Sequence, residues 1–188
     1  NTGNPIFLRT GTRNVHGSQV PCLTDVVLKN MYAEVPLDKP DAGYSYEGPV
    51  EDLPRHVCPS IIAGLPGLRI ENVRMENIEI VYPGHADPEY AYAGTSKEEL
   101  DAIEEQETRY PEFSNWKELP AWGFYIRHAD GIVFDNVKIT VDGEDYRPAL
   151  VADDVNGLRM KNLQINQETA PKGKKQIITK DTKNIRKK

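Results

Sequence analysis

Four segments of similar pattern recur along this chain, and each carries an asparagine at the same place. The aligned residues are Asn30, Asn77, Asn136 and Asn162, and a fifth segment begins at Asn184. The pattern reads turn residue, apolar, polar, apolar, polar, asparagine, apolar. Alternation of apolar and polar residues indicates a half-buried β-strand. Because asparagine tolerates a left-handed backbone, we expect it at a corner between two strands.

A second short apolar run precedes three of these segments, at Gly123–Ile126, Ala149–Val151 and Gln176–Ile178. Short strands that recur about every 20–30 residues are typical of a solenoid. In a parallel β-helix, equivalent asparagines stack, and their amide groups can bond to one another. A β-sandwich gives no reason to keep the asparagines in register. We therefore predict an all-β fold, specifically a parallel β-helix.

Residues 1–188 are interpreted as part of one such domain with two insertions. Residues 36–60 contain five prolines and are predicted to form an extended loop. Residues 83–122 are predicted to contain a helix, because Ser96–Glu99 has the form of a capping box and Tyr110–Pro111 would stop it. We expect the acidic residues of this helix to face solvent.

Charge is unevenly distributed along the chain, whose formal net charge is −6. The tail, residues 172–188, has eight Lys and Arg residues and one acidic residue. It lacks the interleaved aromatic residues of a nucleic-acid-binding segment, so we predict no nucleic-acid partner and interpret it as a solvated terminus. No stretch approaches the ~20 apolar residues that a membrane span needs, and no membrane association is predicted.

No cofactor or metal is expected from the motifs. Cys22 and Cys58 are far apart in sequence and lack the spacing of metal ligands. They could form a disulfide, but two ordinary thiols are the simpler interpretation. The chain also lacks a phosphate-binding glycine loop, zinc-ligand spacing and any arguable Ser-His-Asp or Cys-His arrangement.

Aromatic residues cluster just before one predicted strand. Six of the 15 aromatic residues, among them Trp122 and Tyr125, lie between positions 110 and 125. Such rings can stack on sugars or can pack an insertion onto the strands. Strand alternation predicts that Tyr125 and Arg127 point outward together, with His128 at the following turn. We consider Trp122, Tyr125, Arg127 and His128 as candidate substrate-binding residues.

Four arginines, Arg9, Arg13, Arg127 and Arg147, could form a cationic strip suited to the carboxylate groups of a polymer. Alternatively, each of them is an ordinary solvent-exposed or salt-bridged residue. The acidic balance of the chain disfavours a polyanionic ligand, although a local cationic patch can outweigh it. Arg9 and Arg13 join the candidate substrate-binding residues.

Asp153 and Asp154 are the only adjacent carboxylates with a catalytic appearance. Paired carboxylates can share protons and activate water in glycoside hydrolysis. The pair, however, lies where the neighbouring repeats also have turn residues, and aspartate is a good turn former. Both interpretations remain open, and the two aspartates are weak catalytic candidates.

Several stretches resemble a known family. They are Asn4–Arg13, Leu23–Asn30, Leu65–Val73, Tyr110–Phe113 and Leu119–His128. They are similar to the later coils, and to an insertion, of bacterial glycoside hydrolase family 28, the polygalacturonase-like enzymes. The resemblance covers most of the chain. It implies a right-handed parallel β-helix of the pectin lyase-like kind that hydrolyses pectic polysaccharide with inversion and without a metal. It also implies a secreted or periplasmic location.

The catalytic motifs of that family are not matched here. The family has Asn-x-Asp, Asp-Asp, Gly-His-Gly and Arg-x-Lys in that order, whereas Asn1–Gly3 ends in glycine and His16 precedes Asp153. We therefore expect the catalytic aspartates upstream, in a missing N-terminal part of the same protein that would be a partner of this chain. The isolated chain is expected to be inactive.

Two other functions remain as alternatives. The chain could be a non-catalytic β-solenoid that binds polysaccharide or another surface. It could also belong to a polysaccharide lyase, which would need a calcium cluster and a Lys or Arg base. The sequence shows no tight aspartate cluster that would support the lyase.

Overall fold

The computed structural model describes residues 3–13, 15, 22–37, 57–90, 94–116 and 118–187. Most of the loop predicted at 36–60 therefore lies outside the described residues. Cys22 is exposed and Cys58 is buried, and the two are not joined in a disulfide. Within the described ranges, no helix has the length and apolar character needed to cross a lipid bilayer.

The described residues are mostly β-strand. The strands are β1 (Phe7–Arg9), β2 (Leu23–Thr24), β3 (Val27–Glu34), β4 (Ser60–Ala63), β5 (Ile70–Tyr82), β6 (Phe124–Val141), β7 (Leu150–Gln167), β8 (Ile177–Lys180) and β9 (Arg186–Lys187). One α-helix, α1 (Lys97–Asp101), and 3-10 turns at Pro88–Tyr90 and Phe113–Trp116 lie between β5 and β6.

The nine strands form one sheet, and every pairing between them is parallel. We call the successive paired layers rungs. Rung 1 is β1–β3, rung 2 is β4–β5, rung 3 is β6, rung 4 is β7 and rung 5 is β8–β9. Each rung pairs with the next in exact register, as in the column Phe7, Ile61, Tyr125, Val151 and Ile178. The prediction of an all-β fold of parallel strands is thereby confirmed, and the arrangement is β-helix-like.

The repeated asparagines stack as the sequence predicts. Asn30, Asn77, Asn136 and Asn162 all have left-handed backbone, with φ of 55, 52, 57 and 54°. The side-chain amides of the last three donate to the amide oxygen of the preceding rung, over 3.2 Å, 2.8 Å and 2.8 Å in turn. This asparagine ladder runs along the surface through four rungs.

The first residue of each repeat forms a second column of left-handed corners. Asp25, Asn72 and Asn184 have φ of 58, 56 and 54°, while Gly131 and Gly157 have 68 and 83°. Glycine suits this place because it adopts positive φ without steric cost. At Gly131 a Cβ atom would also lie only 2.9 Å from the Asn72 amide oxygen.

The corners set which side chains enter the core. On β6, Ile132 and Phe134 are fully buried before the corner, and Val137 and Ile139 are buried after it. The left-handed Asn136 between them shifts the alternation by one residue, so both halves of the strand send their apolar side chains inward. The equivalent residues of β5 and β7 complete one continuous core.

The segment between β5 and β6 packs on the outside of the first column of strands. Leu100, Trp116 and Leu119 contact Tyr125 and its register partners in a second apolar cluster. The predicted capping box is present, because the Ser96 hydroxyl accepts from the Glu99 amide and the Glu99 carboxylate accepts from the Ser96 amide.

The helix itself is shorter than the sequence predicts. It ends at Asp101, far before Tyr110–Pro111. Gln106 has a left-handed φ of 55°, which no α-helix can contain, and its carbonyl accepts from the Arg9 guanidinium. Contacts from the distant strand β1 therefore override the local helical preference.

The asparagine ladder can be tested at Asn136, which both donates and accepts within it. Asn136→Gly keeps the left-handed backbone but removes both bonds, and should lower the free energy of unfolding by about 1–2 kcal/mol. Asn136→Ala adds the cost of forcing alanine into this conformation, for a total of about 2–4 kcal/mol. Urea unfolding followed by circular dichroism measures both. Equal stability of the alanine and glycine variants would contradict the corner geometry.

Candidate ligand-binding site

Two of the predicted substrate-binding rings are buried. Trp122 is 1% exposed and its ring meets Tyr82 edge-on in the main core, with ring centres 5.8 Å apart. Tyr125 is fully buried, but in the second apolar cluster. It does point away from the main core, as alternation predicts, yet the segment between β5 and β6 covers it. In this arrangement neither ring is open to a ligand.

Arg127 is also covered, although it points outward. One of its terminal nitrogens lies 3.0 Å from the Glu105 carboxylate, and the other donates to the carbonyl of Ile103 over 2.7 Å. Only 9% of its side chain is exposed. Arg127 therefore ties the covering segment to rung 3.

His128 links that segment to rung 4. Its Nε2 lies 3.0 Å from the Glu105 carboxylate, and its Nδ1 lies 2.7 Å from that of Asp154. Burial alone would lower the pKa of His128, but the hydrogen bonds to the two carboxylates outweigh it and raise the pKa above the ordinary 6.5. The imidazole is thus held in a position that favours its protonated form.

Asp153 and Asp154 do not face each other as a proton-sharing pair. Asp153 is 1% exposed and lies 2.7 Å from the Lys180 ammonium. Asp154 is a left-handed corner residue with φ of 51°, and it pairs with Arg69 over 2.5 Å as well as with His128. Burial tends to raise the pKa of Asp154, but His128 and Arg69 lower it overall. These contacts favour the turn interpretation of the pair, and its catalytic role remains a prediction.

The four arginines do not form one strip. Arg9 lies over the Trp116 ring at 5.2 Å and donates to the carbonyls of Gln106 and Glu107. Arg13 is exposed and lies 4.8 Å above the ring of Tyr110.

Arg147 is set apart from the other three arginines because it is buried. It forms two bonds with the Asp145 carboxylate, at 2.9 Å and 2.8 Å, and donates to the carbonyls of Val57 and Leu119. The prediction that Arg147 belongs to the strip is wrong, because its guanidinium is buried and bonds to residues of three different loops.

One further basic residue on the outer face, Lys180, was not among the predicted site residues. Lys180 lies between Asp153 and Asp101 of α1, at 2.7 Å and 2.8 Å. Hydrogen bonds from Lys180 and Lys97 lower the pKa of Asp101 to about 2. Lys180 is in register with Asp153 and Arg127. Continuing the alignment of the repeats by one rung would have found it.

Two cavities among the described residues lie elsewhere and have Tyr146 in their lining. One cavity of about 350 Å³ has an apolar wall of prolines and Tyr146, with Lys174, Lys175 and Gln176 at its polar side. A larger one of about 520 Å³ shares Tyr146 in its lining and includes Asp87. We call the first of these the Tyr146 cavity. No repeat motif marks it, because its lining comes from separate loops.

The Tyr146 hydroxyl contacts a buried carboxyl group. Glu118 is 5% exposed, and one of its oxygens accepts a hydrogen bond from the Tyr146 hydroxyl. Burial raises the pKa of Glu118 above its ordinary range, despite that bond and the nearby Arg147. The Tyr146 side chain is thereby fixed as a wall shared by both cavities.

Across the part of the chain that the structure describes, no group of three or more His, Cys, Asp or Glu side chains is placed to hold a metal ion. The sequence matches no protein-family model, no curated protein and no solved structure.

The histidine contact predicts a pH-dependent stability. A pKa raised in the folded state stabilises the fold fully below about pH 6.5, and this contribution is lost as the pH rises through the folded value. His128→Asn should therefore lower the free energy of unfolding most at low pH, with the difference from wild type shrinking towards alkaline pH. Denaturation at several pH values, and the NMR titration of His128, measure this.

Asparagine is chosen for this test because it accepts the left-handed backbone of His128, whose φ is 48°. His85→Asn is the matched control, since His85 is exposed and also has a positive φ of 66°. A constant difference between wild type and His128→Asn across the pH range, or a His128 pKa below 6.5, would contradict the assignment.

Proposed function

We propose that this chain is part of a glycoside hydrolase that cleaves pectic polysaccharide, polygalacturonan or rhamnogalacturonan, with inversion. In this proposal the strands form a right-handed parallel β-helix of the pectin lyase-like kind, and the protein is secreted or periplasmic. The family resemblance of the sequence supports the proposal, and so does the parallel stack of rungs that the asparagine repeat predicted. The observation that carries the choice of ligand is the Tyr146 cavity.

The Tyr146 cavity suits an acidic sugar. Its volume of about 350 Å³ is within the usual range for small-ligand sites. Tyr146, together with Pro120, Pro148 and Pro171, offers flat apolar surface for a sugar ring. Lys174 and Lys175 are exposed and form no ion pair within the described residues, so their charges are available to a carboxylate.

The catalytic carboxylates are proposed to come from outside residues 1–188. Inverting hydrolysis needs one carboxyl that holds a proton and one carboxylate that activates water. Asp154 has a lowered pKa and is therefore not suited to donate a proton, and Asp153 is held by the Lys180 ammonium. Glu118 has a raised pKa but is covered by Tyr146. It is therefore assigned to positioning this tyrosine.

A non-catalytic polysaccharide-binding solenoid is the second candidate. It is favoured by the same ion pairs, since both adjacent aspartates are engaged by cations of the chain itself. It differs from the first in one outcome, namely that no form of the protein would release new reducing ends from a pectic polymer.

Binding is tested by titrating the chain with oligogalacturonate and following tryptophan fluorescence or calorimetry. Lys174→Gln combined with Lys175→Gln should weaken binding about five-fold, because exposed ion pairs contribute about 0.2–1 kcal/mol each. Lys29→Gln with Lys161→Gln removes the same charge from exposed positions outside the cavity and should change little. Equal loss in both double variants would show that only net charge matters, and would overturn the site.

Hydrolysis is tested with polygalacturonan and rhamnogalacturonan. Residues 1–188 alone should bind but release no reducing ends. A chain extended by its encoded upstream residues should release them, with the first product anomer inverted. Turnover by residues 1–188 alone would overturn the placement of the catalytic aspartates. Binding without turnover by the extended chain would instead establish the second candidate.

A further inference from the structure

We propose that residues 97–107 are an internal acidic strap, which occupies an anion-binding surface on the outside of the rungs and which a polycarboxylate ligand displaces. This surface is separate from the Tyr146 cavity. The inference rests on the proposed function only for the chemical class of the ligand. The strap consists of α1 and the irregular stretch that follows it.

Four basic side chains lie beneath the strap, on different rungs. Arg9 is on rung 1, Arg127 and His128 are on rung 3, and Lys180 is on rung 5. Neighbouring parallel strands are ~4.8 Å apart, so rungs 1, 3 and 5 space these groups by about 10 Å. The basic groups therefore form a line across the rungs, along which an extended polyanion can lie.

The strap meets this line with its own carboxylates. Asp101 pairs with Lys180 at 2.8 Å, and Glu105 pairs with both Arg127 and His128 at 3.0 Å. On rung 1, the Arg9 guanidinium donates hydrogen bonds to the backbone carbonyls of Gln106 and Glu107. The strap thus presents carboxylate and carbonyl oxygens to the line of basic groups. A ligand that binds the same surface should offer oxygen groups of the same kind.

Asp153 and Asp154 lie under the same surface and pair with part of its charge. They belong to the rungs and stay in place when the strap leaves. The strap residues Asp101 and Glu105 are the exchangeable partners, with 46% and 27% of their side chains exposed. A ligand carboxylate at either place would restore the ion pair that the strap gives up, so exchange leaves no cation unpaired.

Apolar packing holds the strap through two side chains. Among the five residues of α1, Leu100 alone is buried, and Ile103 is half-buried. Trp116 and Leu119, which belong to the same apolar cluster as Leu100, lie beyond the strap. Displacement of the strap must therefore draw Leu100 out of this cluster, while Trp116 and Leu119 keep the rest of the covering segment packed.

The test compares two double variants of equal charge. Asp101→Asn with Glu105→Gln removes the carboxylates that contact the line of cations. Glu98→Gln with Glu104→Gln is the matched control, because both residues are exposed and form no ion pair within the described residues. The probes are oligogalacturonate and a sulfated oligosaccharide of similar charge, measured by calorimetry in a background that also carries Lys174→Gln and Lys175→Gln.

We expect the first pair of substitutions to tighten binding of both probes about five-fold relative to the control pair. Equal affinities in the two would show a net-charge effect only and would overturn the strap. A gain for oligogalacturonate alone would support the strap and identify the ligand as a uronate. A gain for both probes supports it as a general polyanion surface.

Hydrogen exchange in the wild-type protein gives a second measurement that does not depend on the variants folding. The amides of Ala102 and Ile103 donate to the carbonyls of Glu98 and Leu100 within the strap, and saturating oligogalacturonate should increase their exchange while the rung amides stay protected. Unchanged protection at saturation would overturn displacement. Failure of the proposed function has a different signature, because Lys174→Gln with Lys175→Gln would then leave wild-type binding unaltered.

Discussion

The left-handed corner at the repeated asparagine is the constraint on which the rest of the structure depends. At these corners the backbone turns, and the side-chain amides of Asn77, Asn136 and Asn162 bond to the preceding rung. Since each corner shifts the alternation by one residue, it decides for every strand which side chains enter the core. If one corner lost its left-handed backbone conformation, the apolar residues that follow it would point outward. The asparagine ladder therefore helps to fix the register of the whole sheet, although it lies at the surface.

Register also explains how charges come together on the outer face. Arg127, Asp153 and Lys180 are far apart in sequence but occupy one position in consecutive rungs. Opposite charges at such positions stabilise the stack locally, while like charges would repel across a single rung spacing. The covering segment then adds Glu105 and Asp101 to this alternating column. The members of this network that belong to the rungs have low exposure despite their charge, because opposite charges meet them from the neighbouring rungs and from the covering segment.

The sequence predicted the strands, the corners and the inward residues because these features are local and periodic. It did not predict the short helix or the burial of Tyr125, because both depend on a contact between distant parts of the chain. Alternation places Tyr125 outside the core correctly, but it carries no information on what covers that face. The Tyr146 cavity was missed for the same reason, since its lining is assembled from several loops without a common motif.

Cations on outward strand positions do not by themselves define a ligand surface. In this chain Arg127 and Lys180 form ion pairs with internal carboxylates, and Arg147 is buried with Asp145. A ligand must either replace such internal partners or bind where charges have none, as at Lys174 and Lys175. The first route requires an anion that competes with a tethered carboxylate, whose effective concentration is high. It therefore favours a polymer, because several linked carboxylates can replace several strap contacts at once.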